Sequence, residues 1–263
     1  MRVLHVIPSV SPLRGGPSVM VRTMTRGLVS AGVEVDIATT DDDGPGRLPV
    51  TLSEPVIRDG VTYWYFPRQT EFYTFSWPLT RWLAQHVRKY DLVHIHALFS
   101  YTVLPAAYWA RRYKIPYIVK PLGILNRWGV NNRRPYLKKL SFALFEKRIL
   151  SNAAAIHFTS EQERLEAADI GVRGRAVIIP NAVDTCSDVG PDLRRFRANS
   201  PNINNCQMIL FLARIDEKKG LDILLPAFAE IQKTRPNAVL VIAGNGKREL
   251  LSRLRQQAER LEI

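Results

Sequence analysis

The chain alternates between two kinds of segment, and few folds accept that pattern. Short apolar runs of strand length repeatedly give way to longer segments with helical spacing. Residues 3–7 form a mostly apolar run that stops at Pro8; residues 17–30 then place Met20, Met24 and Leu28 at i, i+4 spacing before Gly32. Further strand-like runs fall at 33–39, 61–66, 92–96, 117–120, 155–158 and 176–179, with 61–66 aromatic and edge-like. Helical patterns fall at 77–90, 101–112 and 136–150, the last with Leu137, Leu140, Leu144 and Phe145 on one side. Ser160-Glu-Gln-Glu163 predicts a capping box, the serine accepting from the Glu163 N–H while that glutamate reaches back. Units that alternate in this way fold as parallel strands covered by helices, an α/β doubly wound sheet.

The pattern lapses at 186–206. Asn199-Ser-Pro-Asn-Ile-Asn-Asn and Gly190-Pro191 carry no apolar period and read as a linker. A new series then begins, with a strand at 208–213, a helix at 221–233, a strand at 238–243 and a helix at 247–262. The expected organisation is a first domain over 1–185, a linker over 186–206 and a second domain over 207–263. Two strands make a marginal sheet, so the second domain is expected to be incomplete, the chain stopping inside it.

Composition narrows the function classes. Hydrophobic residues are 46% of the 263 and charged residues 23%, values of a soluble globular protein. No stretch approaches the ~20 apolar residues of a membrane-spanning helix, and the run at 3–7 is too short for a secretory signal core. A cytoplasmic location with Cys186 and Cys206 as thiols is therefore expected, and the two cysteines match no metal spacing. The net charge is +13 and unevenly placed, since residues 111–150 hold eleven Lys or Arg and one acid, Glu146. Arg127, Arg133, Arg134, Lys138 and Lys139 form the core of this patch, with Trp128, Tyr136, Leu137 and Leu140 interleaved. It reads either as a solvated helix face or as an anionic interface with Trp128 at headgroup depth. A basic nucleic-acid-binding module is a rival reading, but no nucleic-acid motif accompanies the charge.

Several strand ends carry chemistry. Arg214-Ile-Asp-Glu-Lys218-Lys219-Gly220 lies between a strand and a helix, where open α/β sheets put ligand sites. Two cations beside a helix start suit a diphosphate, and equally describe a basic turn. Gly15-Gly16-Pro17 opens the first helix, either as a tight turn or as a close backbone approach to a ligand. It is not G-x-G-x-x-G, which counts against a Rossmann oxidoreductase or epimerase using NAD. His94 and His96 share a strand face, as a packed pair or with His96 near a sugar hydroxyl; no third metal ligand is placed by spacing. Asp41-Asp42-Asp43 reads as an acidic turn in preference to a metal-holding D-x-D, and Gly244-Asn245-Gly246 as a turn.

Taken in order, Gly15-Gly16, Asp91-x-x-His94-x-His96, Ile179-Pro-Asn181-Ala-Val-Asp184, Arg214-x4-Lys219-Gly220 and Ala243-Gly-Asn-Gly246 resemble the retaining glycosyltransferases of family 4. Lys120-Pro-Leu-Gly-Ile-Leu and Ile156-His-Phe-Thr-Ser-Glu-Gln-Glu163 are similar to that family's acceptor-side segments. The resemblance implies a GT-B fold of two Rossmann-like domains, the second here incomplete. It implies transfer of a hexose from a nucleotide-diphosphate sugar of the UDP-glucose type, without a metal, to a glycan or lipid-linked acceptor. Such a reaction belongs to polysaccharide or glycoconjugate biosynthesis, at the inner membrane face if the patch docks there. Arg214 and Lys219 would hold the donor diphosphate, Gly15 and Gly16 would approach it, His96 would touch the sugar, and Asn181 would sit at the hinge. The family's paired glutamates, eight positions apart, have no counterpart in this sequence. By order they would follow Ile263, so residues 1–263 alone are expected to bind donor poorly.

Overall fold

The structure, a computed structural model, describes residues 1–131, 135–183, 203 and 206–263. It divides into two compact units, Met1–Thr185 and Cys186–Ile263. Of the expected linker, only Ile203 and Cys206 are described; Cys186 and Asp184 lie outside the described residues.

The first unit is built on one eight-stranded sheet. Strand β1 (Arg2–Val6) leads through helix α1 (Gly16–Ser30) to β2 (Glu34–Thr40). A small hairpin of β3 (Asp42–Asp43) and β4 (Gly46–Arg47) follows, then β5 (Pro55–Arg58) and β6 (Val61–Phe66). After α2 (Trp77–His86) come β7 (Leu92–His96), α3 (Val103–Arg112) and β8 (Tyr117–Lys120). Short helices α4 (Arg127–Asn131), α5 (Pro135–Ser141) and α6 (Lys147–Ser151) precede β9 (Ala155–Phe158), α7 (Glu161–Asp169) and β10 (Ala176–Ile178). The sheet order is β10-β9-β8-β7-β1-β2-β6-β5. Every pairing in it is parallel except β5 with β6.

The central strands are buried on both faces, which is why they read as apolar runs. One face packs Leu4, Val6, Val93, Ile95, Val119 and Phe158 against α2, α3 and α6; the other packs Val35, Ile37 and Tyr63 against Met20 and Val21 of α1. Strand β6 is not the edge that its aromatic composition suggested. Asp59 and Gly60, both at positive φ (51° and 73°), make a tight hairpin turn that lays β5 outside it.

Two other expectations change. The helix expected over 136–150 is interrupted by a π turn, Phe142–Glu146, between α5 and α6. Leu137, Leu140, Leu144 and Phe145 are 45–57% exposed, so their stripe faces outward and not into the core. In α7, Ser160 caps the Glu163 N–H as expected, at 3.2 Å. The Glu163 carboxylate does not close the box; it accepts from the Thr159 and Gly123 N–H groups, each at 2.7 Å.

The second unit holds β11 (Gln207–Leu212), α8 (Leu221–Thr234), β12 (Ala238–Ala243) and α9 (Arg248–Arg260). Its two strands pair in parallel, and Ile215, Leu221, Leu225 and Leu254 make a small core.

Candidate active site

The first unit presents a glycine loop at the carboxyl end of β1. Ser11 caps a single 3-10 turn, Pro12–Arg14, and Gly15 then takes φ +66° and opens α1. An L side chain is strained there, which is why glycine stands at 15. A Cβ on Gly16 would meet no atom within 4 Å, so neither φ nor crowding demands glycine there.

The three aspartates explain how this loop is held. Asp42 is 0% exposed; its carboxylate accepts from Arg14 at 2.6 and 2.7 Å and from the buried Arg68 at 2.5 Å. Arg68 also donates to the Gly44 and Gly46 carbonyls at 2.9 Å, and Asp41 accepts from the Arg68 N–H and from Arg47. Asp43 accepts from Ser11. The aspartates are thus committed to arginines and to the loop before Gly15. They form a paired hairpin in place of a bare turn, and its role is to fix the glycine loop.

His94 and His96 share a face, and β1 brings a third imidazole to them. His5 pairs in register with His94, and its Nδ1 lies 2.8 Å from His96 Nε2. His96 stands at the end of its strand as expected, yet its ring is 0% exposed and turned onto His5, not toward solvent. Lys120 and His157 continue the row, the lysine amine 3.1 Å from His157 Nε2. Desolvation lowers the basicity of the whole row: His5 falls to about 3, His94 and His96 fall well below 6.5, and Lys120 falls to about 8.

In the cationic segment, Arg127 and Lys139 are exposed, while Lys138 is half-buried and donates to the Gly129 carbonyl at 2.6 Å. Arg133 and Arg134 lie outside the described residues. The segment's acid, Glu146, is wholly buried, bonded to Ser141, and its carboxyl is pushed up by desolvation. Among the described residues of the segment, solvent therefore meets cations and apolar side chains but no acid. A groove of about 850 Å³ opens beside it, with Trp77, Tyr108, Trp109, Arg111, Arg112 and Arg148 among the residues that line it.

In the second unit, Arg214 and Lys219 are both exposed, at the carboxyl end of β11. Asp216 caps a short 3-10 turn, Glu217–Lys219, and Gly220 at φ +68° turns the chain into α8. Gly244 and Gly246 are more than a turn. A Cβ on Gly244 would lie 1.9 Å from the Ala213 carbonyl oxygen, and one on Gly246 2.6 Å from that of Ile215. Ile215 also donates to the Asn245 carbonyl at 2.8 Å. The glycines let the end of β12 press against the backbone on either side of Arg214 and so fix where that arginine starts.

Comparison with known proteins gives the family and the fold. The glycosyl transferase 4-like domain matches residues 15–182, and glycosyl transferases group 1 matches residues 194–263. The chain is 26% identical over 285 residues to an alpha-monoglucosyldiacylglycerol synthase of Streptococcus pneumoniae, a match over 100% of this chain and 59% of the relative. Among solved structures it is similar to Anabaena Alr3699/HepE in complex with UDP and glucose, at TM-score 0.70 and 17% identity over 100% of this chain and 67% of that one. It is also similar to a sucrose-phosphate synthase of Thermosynechococcus elongatus, at TM-score 0.69 and 18% identity over 100% and 68%. The shared fold is that of the GT-B glycosyltransferases. The chain belongs to the glycosyl transferase 4-like family.

Proposed function

We propose that this chain is part of a retaining glycosyltransferase of family 4, moving a hexose from a nucleotide-diphosphate sugar of the UDP-glucose type to a lipid-linked or glycan acceptor. The carrying observation is the pair of exposed cations, Arg214 and Lys219, at a strand end braced by Gly244 and Gly246. Two fixed positive charges beside a helix start match a diphosphate and stabilise the charge that develops as the nucleotide leaves. That work needs no metal on the donor. Gly15 and Gly16 lend backbone to the donor phosphates or reacting sugar. With its ring buried against His5, His96 serves within the first sheet. The glucosyl transfer named for the Streptococcus relative supports the hexose and a lipid acceptor.

Titration of UDP into the isotope-labelled chain tests the reading. Weak, saturable shifts are expected at the amides of Arg214, Lys219 and the first turn of α8. EDTA should leave them unchanged, and Arg214→Ala or Lys219→Ala should each weaken binding about tenfold. Shifts elsewhere, or the same affinity in both variants, would count against the clamp.

The acceptor side favours a membrane surface, on the inner, cytoplasmic face. Tyr136 is 87% exposed, and Leu137, Leu140, Leu144 and Phe145 are exposed among Arg127, Lys139, Lys147 and Arg148. No helix among the described residues is long and apolar enough to cross a membrane; the contact proposed is peripheral. The chain should sediment with vesicles containing anionic phospholipid and not with neutral ones. Reversing Arg133, Arg134, Lys138 and Lys139 should release it, at roughly 1 kcal/mol per charge at low salt. Unchanged sedimentation of the reversed chain would refute the docking.

A further inference from the structure

The row of histidines under the glycine loop has more capacity than the transfer reaction uses. Four of the five histidines in the chain, His5, His94, His96 and His157, are buried on one face of the first sheet. Three of them converge. The ring centroids of His5 and His94 and of His5 and His96 are 5.1 Å apart, and those of His94 and His96 are 4.3 Å apart. One ring nitrogen from each lies within 4.8 Å of the others.

This grouping is poorly satisfied by protein alone. One hydrogen bond, His5 to His96, joins two of the three rings, and His94 meets both only through ring contacts. His5 Nε2, His94 Nε2 and His96 Nδ1 are buried without a partner. Each such atom costs about 1–3 kcal/mol, and because a neutral imidazole keeps one lone pair, each of the three rings has one nitrogen to offer a ligand. Neutral imidazole is the form that binds metal.

We propose that His5, His94 and His96 form a binding site for one late first-row divalent cation, with Zn²⁺ the natural occupant. Three imidazoles select Zn²⁺, Co²⁺, Ni²⁺ or Cu²⁺ over Mg²⁺ and Ca²⁺, which prefer oxygen ligands. A tetrahedral site with bonds of about 2.0–2.1 Å sets its nitrogens about 3.4 Å apart, so the rings must rotate inward and the His5–His96 bond must open. Water would complete the coordination. Strands β1 and β7 would then be tied by metal as well as by backbone pairing. This site stands independently of the glycosyl-transfer reading and takes no part in holding a diphosphate.

The test is Co²⁺ titration of the metal-free 263-residue chain, followed by visible absorption and by histidine ring NMR. One saturable equivalent is expected, with the intense visible bands of four-coordinate Co²⁺, loss of the His5, His94 and His96 ring signals, and displacement by Zn²⁺. His5→Gln and His94→Gln should each weaken binding about tenfold or more. His86→Gln, whose ring bonds the Trp82 carbonyl outside the row, should bind as the parent does. Should the first two variants fail to fold, the ring signals of the parent chain still decide. Absence of a saturable equivalent, or broadening confined to His86, overturns the site.

Discussion

Asp42→Ala is expected to destabilise the first unit by about 3–5 kcal/mol, because it leaves a buried guanidinium without its carboxylate. The side chains of Asp42 and Arg68 are 1% and 4% exposed, and their contact is 2.5 Å. Arg68 would keep the Gly44 and Gly46 carbonyls, which are neutral and do not offset its charge. Arg14 is the contrasting partner. It makes a bidentate contact with the same carboxylate, but its side chain is 44% exposed, so water replaces much of what is lost. Arg14→Ala should therefore cost no more than about 1 kcal/mol. Urea denaturation of both variants gives the comparison, and Asp42→Ala costing less than Arg14→Ala would overturn the assignment of Arg68 and Asp42 as the keystone. The loop before Gly15 should also exchange its amides faster in Asp42→Ala, since Ser9 and Ser11 are bonded to the same hairpin.

Stability should rise by about 2–3 kcal/mol between pH 7 and pH 10 through Lys120 alone. Its side chain is 0% exposed, and burial lowers its pKa from 10.5 to about 8. Below pH 8 both folded and unfolded chains hold the proton, and the folded chain bears the cost of burying it. Above pH 8 the folded chain sheds the proton while the unfolded chain keeps it up to about 10.5, so the cost disappears as pH rises. Lys120→Met removes this contribution. The variant should be more stable than the parent at pH 7, and the gap should narrow toward pH 10. It loses the bond to His157, about 1 kcal/mol, which reduces the gain without reversing it. The difference between the two denaturation curves isolates Lys120 from the tyrosines that titrate nearby. Parallel curves for parent and variant across this range would sink the prediction.

The sheet is legible in the sequence because burial on both faces writes strands as apolar runs of fixed length. Residues 92–96, 117–120, 155–158 and 238–243 coincide with strands, and residues 61–66 match β6. Strand β5 escapes such a reading because Pro55–Arg58 is mostly exposed and has no period. Its signal is the Asp59-Gly60 pair, a hairpin turn in two residues. The outward stripe on 136–150 misleads because helical spacing shows that apolar residues share a face, not that the face meets a core. The aspartates read locally as a turn; the hairpin they form depends on Arg68, which is 26 positions from Asp42.

Spacing along the chain is enough for the alternating α/β class, the change of character after 185, the cationic loop at the end of β11 and the ordered motifs of the family. All of these are local, carried by residues near one another in the chain. What those residues face is set by the folded chain. It brought His5 within 2.8 Å of His96 from 91 positions away, turned His96 inward, and pressed Gly244 against the backbone beside Arg214. The physical reason is that parallel pairing joins strands distant in sequence, so the partners of a side chain are set by register between strands and not by spacing along one.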